Sequence, residues 1–355
     1  MIVEPSSETE EASRTRSRRP YVRIGLGVLG LVSLLLLVMR YDIARVGVVL
    51  ASTRPSAVLL VLLFPLALAV DALAWRRLLV RLGEHVPFGV TWLTRFASEA
   101  VGNAVPMAGL ASEAVGPLLL SARSSVSLPN AVASSTAKRW LISRAHAVYI
   151  GLGLLLVFAT QGTAAKVAVP VMASLAVSCA LLVLSIGVQG IASRGAAASF
   201  TLRALGRLPW LRRVLEPKAS GFAATDTALQ TLGRSLSVDA WALLVLAWAI
   251  EGTQTYVLLR AVGIDVSWPG ALVVDGVVST LRSAAAFVPS GLGVEDVGFA
   301  HVLEGAAGPQ IGAFLLLKRG KELAFIGLGL ATYFFLQRRD GRAALGAPLA
   351  KDSLA

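Results

Sequence analysis

Cysteine is nearly absent. The 355-residue chain has one, Cys179, inside an apolar run, so it builds neither an internal disulfide nor a thiolate metal site. Histidine is equally sparse: His85, His146 and His301 do not recur at ligand spacing. There is no His-Glu-x-x-His run and no Walker lysine loop, which leaves the chain without zinc or nucleotide chemistry of its own, and no cofactor is expected. No serine or threonine sits in a nucleophile elbow, and no catalytic constellation stands out. Charge is scarce, at 15% of residues, and no basic face interleaved with aromatics appears, which argues against a nucleic-acid partner.

Apolar residues are what the chain has in quantity. They make up 55% of it, in several runs long enough to cross a bilayer, so the expected class is an all-α polytopic membrane protein. The net charge of +12 is carried largely by termini and connecting segments, where Lys and Arg set orientation. Residues 1–21 read as a disordered cytosolic tail, 22–190 as a first transmembrane half and 191–237 as a basic cytosolic connector. Residues 238–337 read as a second transmembrane half and 338–355 as a cytosolic tail. Spans are expected at 22–39, 56–79, 129–158, 164–189 and 238–260. Within the connector, RLPWLRR (207–213) suits an anionic lipid surface or solvent.

Two stretches interrupt this pattern, NAVPMAGLASEAVG (103–116) and AAFVPSGLGVEDVG (285–298). Pro106 in the first, and Pro289, Gly291 and Gly293 in the second, stop a continuous helix and leave peptide groups open to a polar ligand. Each break is followed by a carboxylate, Glu113 and Glu295, where a helix N-terminus favours negative charge.

The breaks belong to a longer repetition with an offset of about 180 residues. Asp71, Leu78, Leu79 and Gly83 match Glu251, Leu258, Leu259 and Gly263; Lys138 and Arg139 match Lys318 and Arg319. Tyr149-Ile-Gly-Leu-Gly153 matches Phe325-Ile-Gly-Leu-Gly329. With the connector and both termini cytosolic, 56–79 runs inward and its mate 238–260 outward, so two inverted repeats with broken or re-entrant helices are expected. Transporters of that architecture bind substrate near the midplane.

Several side chains are candidates for the site. Lys138, Arg139, Lys318 and Arg319 are expected to neutralise Glu113 and Glu295 or to hold a lipid phosphate, and Glu322 to pair with its neighbouring lysines. Seven residues before each Val-Pro proline stand Glu99 and Arg282, expected to pair across the repeats and close one side of a cavity; Asn103 lies beside them. Glu99, Glu113, Glu251, Asp275, Glu295 and Asp296 suit either the base of an intramembrane transferase or a proton relay.

At these residues the chain resembles the lysylphosphatidylglycerol synthase transmembrane region, a flippase-like integral membrane family, and within it the hopanoid-biosynthesis-associated proteins. The likeness lies in LALAVDALAWRRLL (66–79), EAVGNAVPMAGLASEAV (99–115) and AKRWLISRAHAVYIGLGLLL (137–156). It continues in LRSAAAFVPSGLGVEDVGF (281–299) and LLLKRGKELAFIGLGL (315–330). Family members usually carry Gly-Gly-Glu after the first break, whereas this chain has Gly109-Leu110-Ala111-Ser112-Glu113. The resemblance implies an inner-membrane protein that handles a lipid, without the fused aminoacyl-transferase domain, so aminoacyl transfer by this chain alone is not expected. The function expected is binding and translocation of an amphipathic lipid (hopanoid, phospholipid or polyprenyl-linked) in a midplane cavity. Its rivals are an intramembrane lipid-modifying transferase and a scaffold for lipid-synthesis enzymes.

Overall fold

The protein is described by a computed structural model that covers residues 41–53, 63–104, 108–161, 168–195, 197–205, 219–235, 237–284 and 291–346, with positions 32, 39, 217 and 288. Pro106, Pro289, the RLPWLRR segment and most of the expected span 22–39 lie outside them.

Among the described residues every regular element is a helix. The first half supplies α1 (Ile43–Ser52), α2 (Leu63–Arg81), α3 (Phe88–Ala104), α4 (Ala108–Arg123), α5 (Leu128–Gln161) and α6 (Ala168–Ala192). The connector forms α7 (Ala197–Leu205) and α8 (Ala219–Arg234). The second half supplies α9 (Val238–Ala261), α10 (Trp268–Ala284), α11 (Val294–Val302) and α12 (Gly308–Gly346). Two segments, Leu128–Ala159 and Val238–Ala261, are long and apolar enough to span a bilayer by length and composition.

The outside is oily and the inside polar. Leu155, Val183 and Leu323 are 64%, 68% and 67% exposed, whereas Asp296 is 0% and Lys138 2% exposed. A soluble protein would not leave such apolar surface open to water while burying charge, so the molecule is a membrane protein.

Local chemistry in the two halves is matched. α2 ends at Gly83, whose φ of +79° suits a residue without a Cβ, and Glu84 N–H donates to the Leu79 carbonyl at 3.0 Å. α9 ends the same way, at Gly263 with φ +82° and Ile264 N–H on the Leu259 carbonyl at 2.9 Å. Each half then runs through a short helix, a break, a second short helix and a long one.

The packing is doubled as well. α2 lies against α3 and α5, and α9 against α10 and α12. The long helices cross over: α5 packs on α10 of the other half, and α12 packs on α3. Gly153 of α5 would place a Cβ 3.2 Å from Val273, and Gly329 of α12 would place one 2.3 Å from the Ala100 Cβ, so the glycine of each matched motif sits where its helix approaches the opposite half. α2 and α9 lie side by side. Arg81 at the end of α2 meets Asp239 at the start of α9, while Phe64 at the start of α2 and Gln254 in the second half of α9 both contact Lys321. The two corresponding helices are therefore antiparallel.

Among its described residues the connector is largely helical, in α7 and α8, where its charge suggested solvent. Asp226 of α8 accepts from the N–H groups of Ala198 (2.6 Å) and Ser199 (2.9 Å), capping α7, and Ala228, Leu229 and Leu232 are buried in a core cluster with α2, α5 and α9.

Candidate functional site

In the second half, the break that Gly291 and Gly293 open (φ +61° and +80°) delivers two adjacent carboxylates to the first turn of α11. Gly293 N–H donates to Asp296 Oδ2 at 2.9 Å, which satisfies one free donor of the helix start. Glu295 and Asp296 then meet two adjacent cations of α12. Lys318 Nζ lies 2.8 Å from Glu295 Oε1; Arg319 grips Asp296 through Nε (2.8 Å) and Nη2 (3.0 Å) and reaches Glu295 at 3.3 Å. Glu322, one turn on, takes Lys318 at 2.6 Å and also binds Arg319. The expected neutralisation of Glu295 and the pairing of Glu322 are both present.

The first half solves the same problem with other partners. Lys138 reaches Asp71 of α2 at 2.8 Å instead of Glu113, and Arg95 of α3 joins the same carboxylate at 3.0 Å. Arg95 also holds Glu99 at 2.5 Å, and Glu99 accepts from Asn103 Nδ2 at 3.2 Å. Glu113 accepts a hydrogen bond from the Ser135 hydroxyl. It stands in the second turn of α4, whereas Glu295 is in the first turn of α11, so the helix-terminus argument applies to Glu295 alone. Arg139 is exposed toward a cavity.

Two cavities flank these clusters. The larger, of about 330 Å³, is lined by first-half residues including Asp71, Arg95, Glu113, Arg139 and His146, and its size is that of a small-ligand site. The smaller, of about 70 Å³, is lined chiefly by second-half residues including Asp275, Glu295, Lys318 and Lys321. Leu68, Glu99, Asn103, Glu251 and Arg282 line both, and thus form a common wall. Glu99 and Arg282 are brought together in this wall, but the near partner of Glu99 is Arg95 of its own helix. Gly291 packs on the Arg282 stem, where a Cβ would come within 2.8 Å of Cγ.

Sequence reasoning passed over Arg95 as a member of the site, and also His146, Tyr149 and Lys321. Tyr149 donates to Asp275 Oδ2 at 3.3 Å, tying α5 to α10, and Lys321 donates to Gln254 at 2.8 Å. The His146 ring lies 4.5 Å from that of Trp248, tilted by 40°, and its Nε2 is buried without a partner among the described residues. The available signal was the offset of 180: Arg95 and Asp275 fall at matched positions of α3 and α10, as Asp71 and Glu251 do of α2 and α9.

A search of curated proteins finds no match to the chain. Residues 22–329 match the family described as the lysylphosphatidylglycerol synthase TM region, which spans both breaks, both ion-pair clusters and both cavities. That match covers well over half of the sequence, and the helical membrane architecture agrees with it; the chain belongs to the lysylphosphatidylglycerol synthase transmembrane-region family.

Proposed function

We propose that the protein moves an amphipathic lipid between leaflets of the inner membrane, its head group passing through the two polar cavities while its tail stays in the bilayer. The observation that carries this reading is the pair of cavities, one associated with each half, separated by a single polar wall. A lipid-modifying enzyme needs one reaction chamber; a carrier needs access from two sides. The antiparallel contact of α2 with α9 and the doubled packing support two inverted repeats around that wall, with the connector and both termini cytosolic.

The head group would meet the side chains that the fold does not already consume. Lys138, Lys318, Arg319 and Arg95 are held by carboxylates, so they build the walls. Arg139 and Arg282 form no ion pair among the described residues and both line the larger cavity, which supports a head group bearing negative charge over a neutral hopanoid. Lipid-synthesis enzymes are the partners this role implies.

The test is a leaflet-resolved assay in reconstituted vesicles, with fluorescent phosphatidylglycerol, a polyprenyl phosphate lipid and a hopanoid compared in parallel. Wild type is expected to move an anionic lipid, and Arg282→Ala to slow it at least tenfold. Movement of none of the three, or equal rates in wild type and variant, refutes the reading.

A further inference from the structure

Glu251 differs from every other carboxylate around the cavities. Asp71, Glu99, Glu295, Asp296 and Glu322 each hold a Lys or Arg at 2.8 Å or closer. Asp275 accepts from Thr255 at 2.6 Å and from Tyr149, and Glu113 accepts from Ser135. Glu251 has neither a hydrogen bond nor an ion pair with any described residue, yet it lines both cavities.

The charge balance points to the same residue. Around the two cavities and the pairs bordering them stand eight carboxylates: Asp71, Glu99, Glu113, Glu251, Asp275, Glu295, Asp296 and Glu322. They face seven cations: Arg95, Lys138, Arg139, Arg282, Lys318, Arg319 and Lys321. One negative charge is in excess, in an interior set apart from bulk water where an unbalanced charge is costly. A proton is the smallest species that can cancel it, and the carboxylate with no donor is the one able to take it.

The titratable and charged groups that share cavities with Glu251 come from every helix packed on α9 and from those beyond. α2 contributes Asp71; α5 contributes Arg139 and His146, with Tyr149 behind them; α10 contributes Asp275 and Arg282; α12 contributes Lys318, Lys321 and Glu322. Glu99 of α3 shares the wall, Arg95 of α3 and Glu113 of α4 line the larger cavity, and Glu295 of α11 lines the smaller. Of these, Arg282 shares the wall with Glu251 and Glu99, and Glu295 and Glu322 line the smaller cavity with it.

We propose that Glu251 is a proton-binding site reached from both cavities, and that its protonation state sets whether Arg282 is held in the wall or released to an anionic group. The O–H bond formed on Glu251 replaces one broken in a hydronium ion of one cavity, and its own cleavage returns the proton to water in the other, with no change of oxidation state. This deepens the lipid-carrier reading by supplying its energy source, a proton gradient, and rests on that reading only for what is carried.

Infrared difference spectroscopy of the full chain in nanodiscs, between acid and alkaline pH, reads protonated carboxyl groups directly. A titrating carboxyl band is expected in wild type, absent in Glu251→Gln and retained with a displaced midpoint in Glu251→Asp; the second variant guards against loss of fold in the first. A band unchanged in Glu251→Gln, or no titrating carboxyl in wild type, overturns the proposal. So does removal of the wild-type band by sodium at constant pH, which would make the site one for a metal cation. In phosphatidylglycerol vesicles, an imposed pH gradient is expected to change wild-type lipid flux several-fold and leave Glu251→Gln flux unaltered. An intact band with no lipid flux under any gradient upholds the proton site and refutes the lipid-carrier reading.

Discussion

Arg81 Nη2 lies 2.6 Å from Asp239 Oδ1, joining the last residue of α2 to the first turn of α9. A helix end can bind a helix start in this way only if the two run in opposite directions along their contact. The pair reports that arrangement without enforcing it. Both side chains are partly open to solvent, so Arg81→Ala is expected to change stability by less than about 1 kcal/mol, read as a small shift in thermal unfolding in detergent.

Lys318 is the opposite case. It is buried and held by Glu295 and Glu322, so Lys318→Met leaves Arg319 to balance Glu295, Asp296 and Glu322 by itself among the described residues. The expected loss is about 3–5 kcal/mol, with part of it recovered when Glu322→Gln is added; thermal unfolding of the single and double variants measures both.

Two neighbouring glycines of α12 should behave differently. Gly329→Ala drives a methyl group onto Ala100 of α3 and is expected to destabilise by about 1–3 kcal/mol. Gly327→Ala meets nothing within 4 Å and gains helix propensity, so it should leave stability equal or raise it by up to about 1 kcal/mol. The difference in unfolding temperature between the two variants is the measurement.

Gly252→Ala places a Cβ 2.1 Å from the Tyr149 hydroxyl and 2.6 Å from Leu272. The variant is expected to lose about 1–3 kcal/mol, and Tyr149→Phe, which removes the hydroxyl, to give back part of that loss in the double variant. Strictly additive losses in a thermal double-mutant cycle would refute the contact.

Much of this architecture was legible in the residues. Gly83 and Gly263, and the motifs ending in Gly153 and Gly329, stood out in the sequence as landmarks of a repeat; the structure makes the first pair matched helix ends and the second the close approaches of α5 and α12 to their neighbours. The break before Glu295 was equally plain, since Gly291 and Gly293 both adopt a positive φ. What could not be read was which acid each cation would choose. Asp71 and Lys138 are 67 positions apart and meet only through the packing of α2 on α5. Lys318 and Arg319 point about 100° apart around their helix, yet both find acids, because Glu295 and Asp296 are adjacent and Glu322 follows one turn on. In the first half Glu113 takes neither cation of the matched pair: Lys138 goes to Asp71 and Arg139 turns to the cavity. The connector misled because its basic residues suggested solvent, while its short apolar stripe, Ala228, Leu229 and Leu232, was enough to dock a helix.

The Tyr149 ring stacks on Trp248, its hydroxyl engages Asp275, and the bare backbone of Gly252 fits beneath it. Two helices, α9 and α10, thus bear on one aromatic side chain of a third, α5. A single ring of α5 is thereby bolted to both α9 and α10, so none of the three helices can shift along another at this point without breaking a contact of Tyr149.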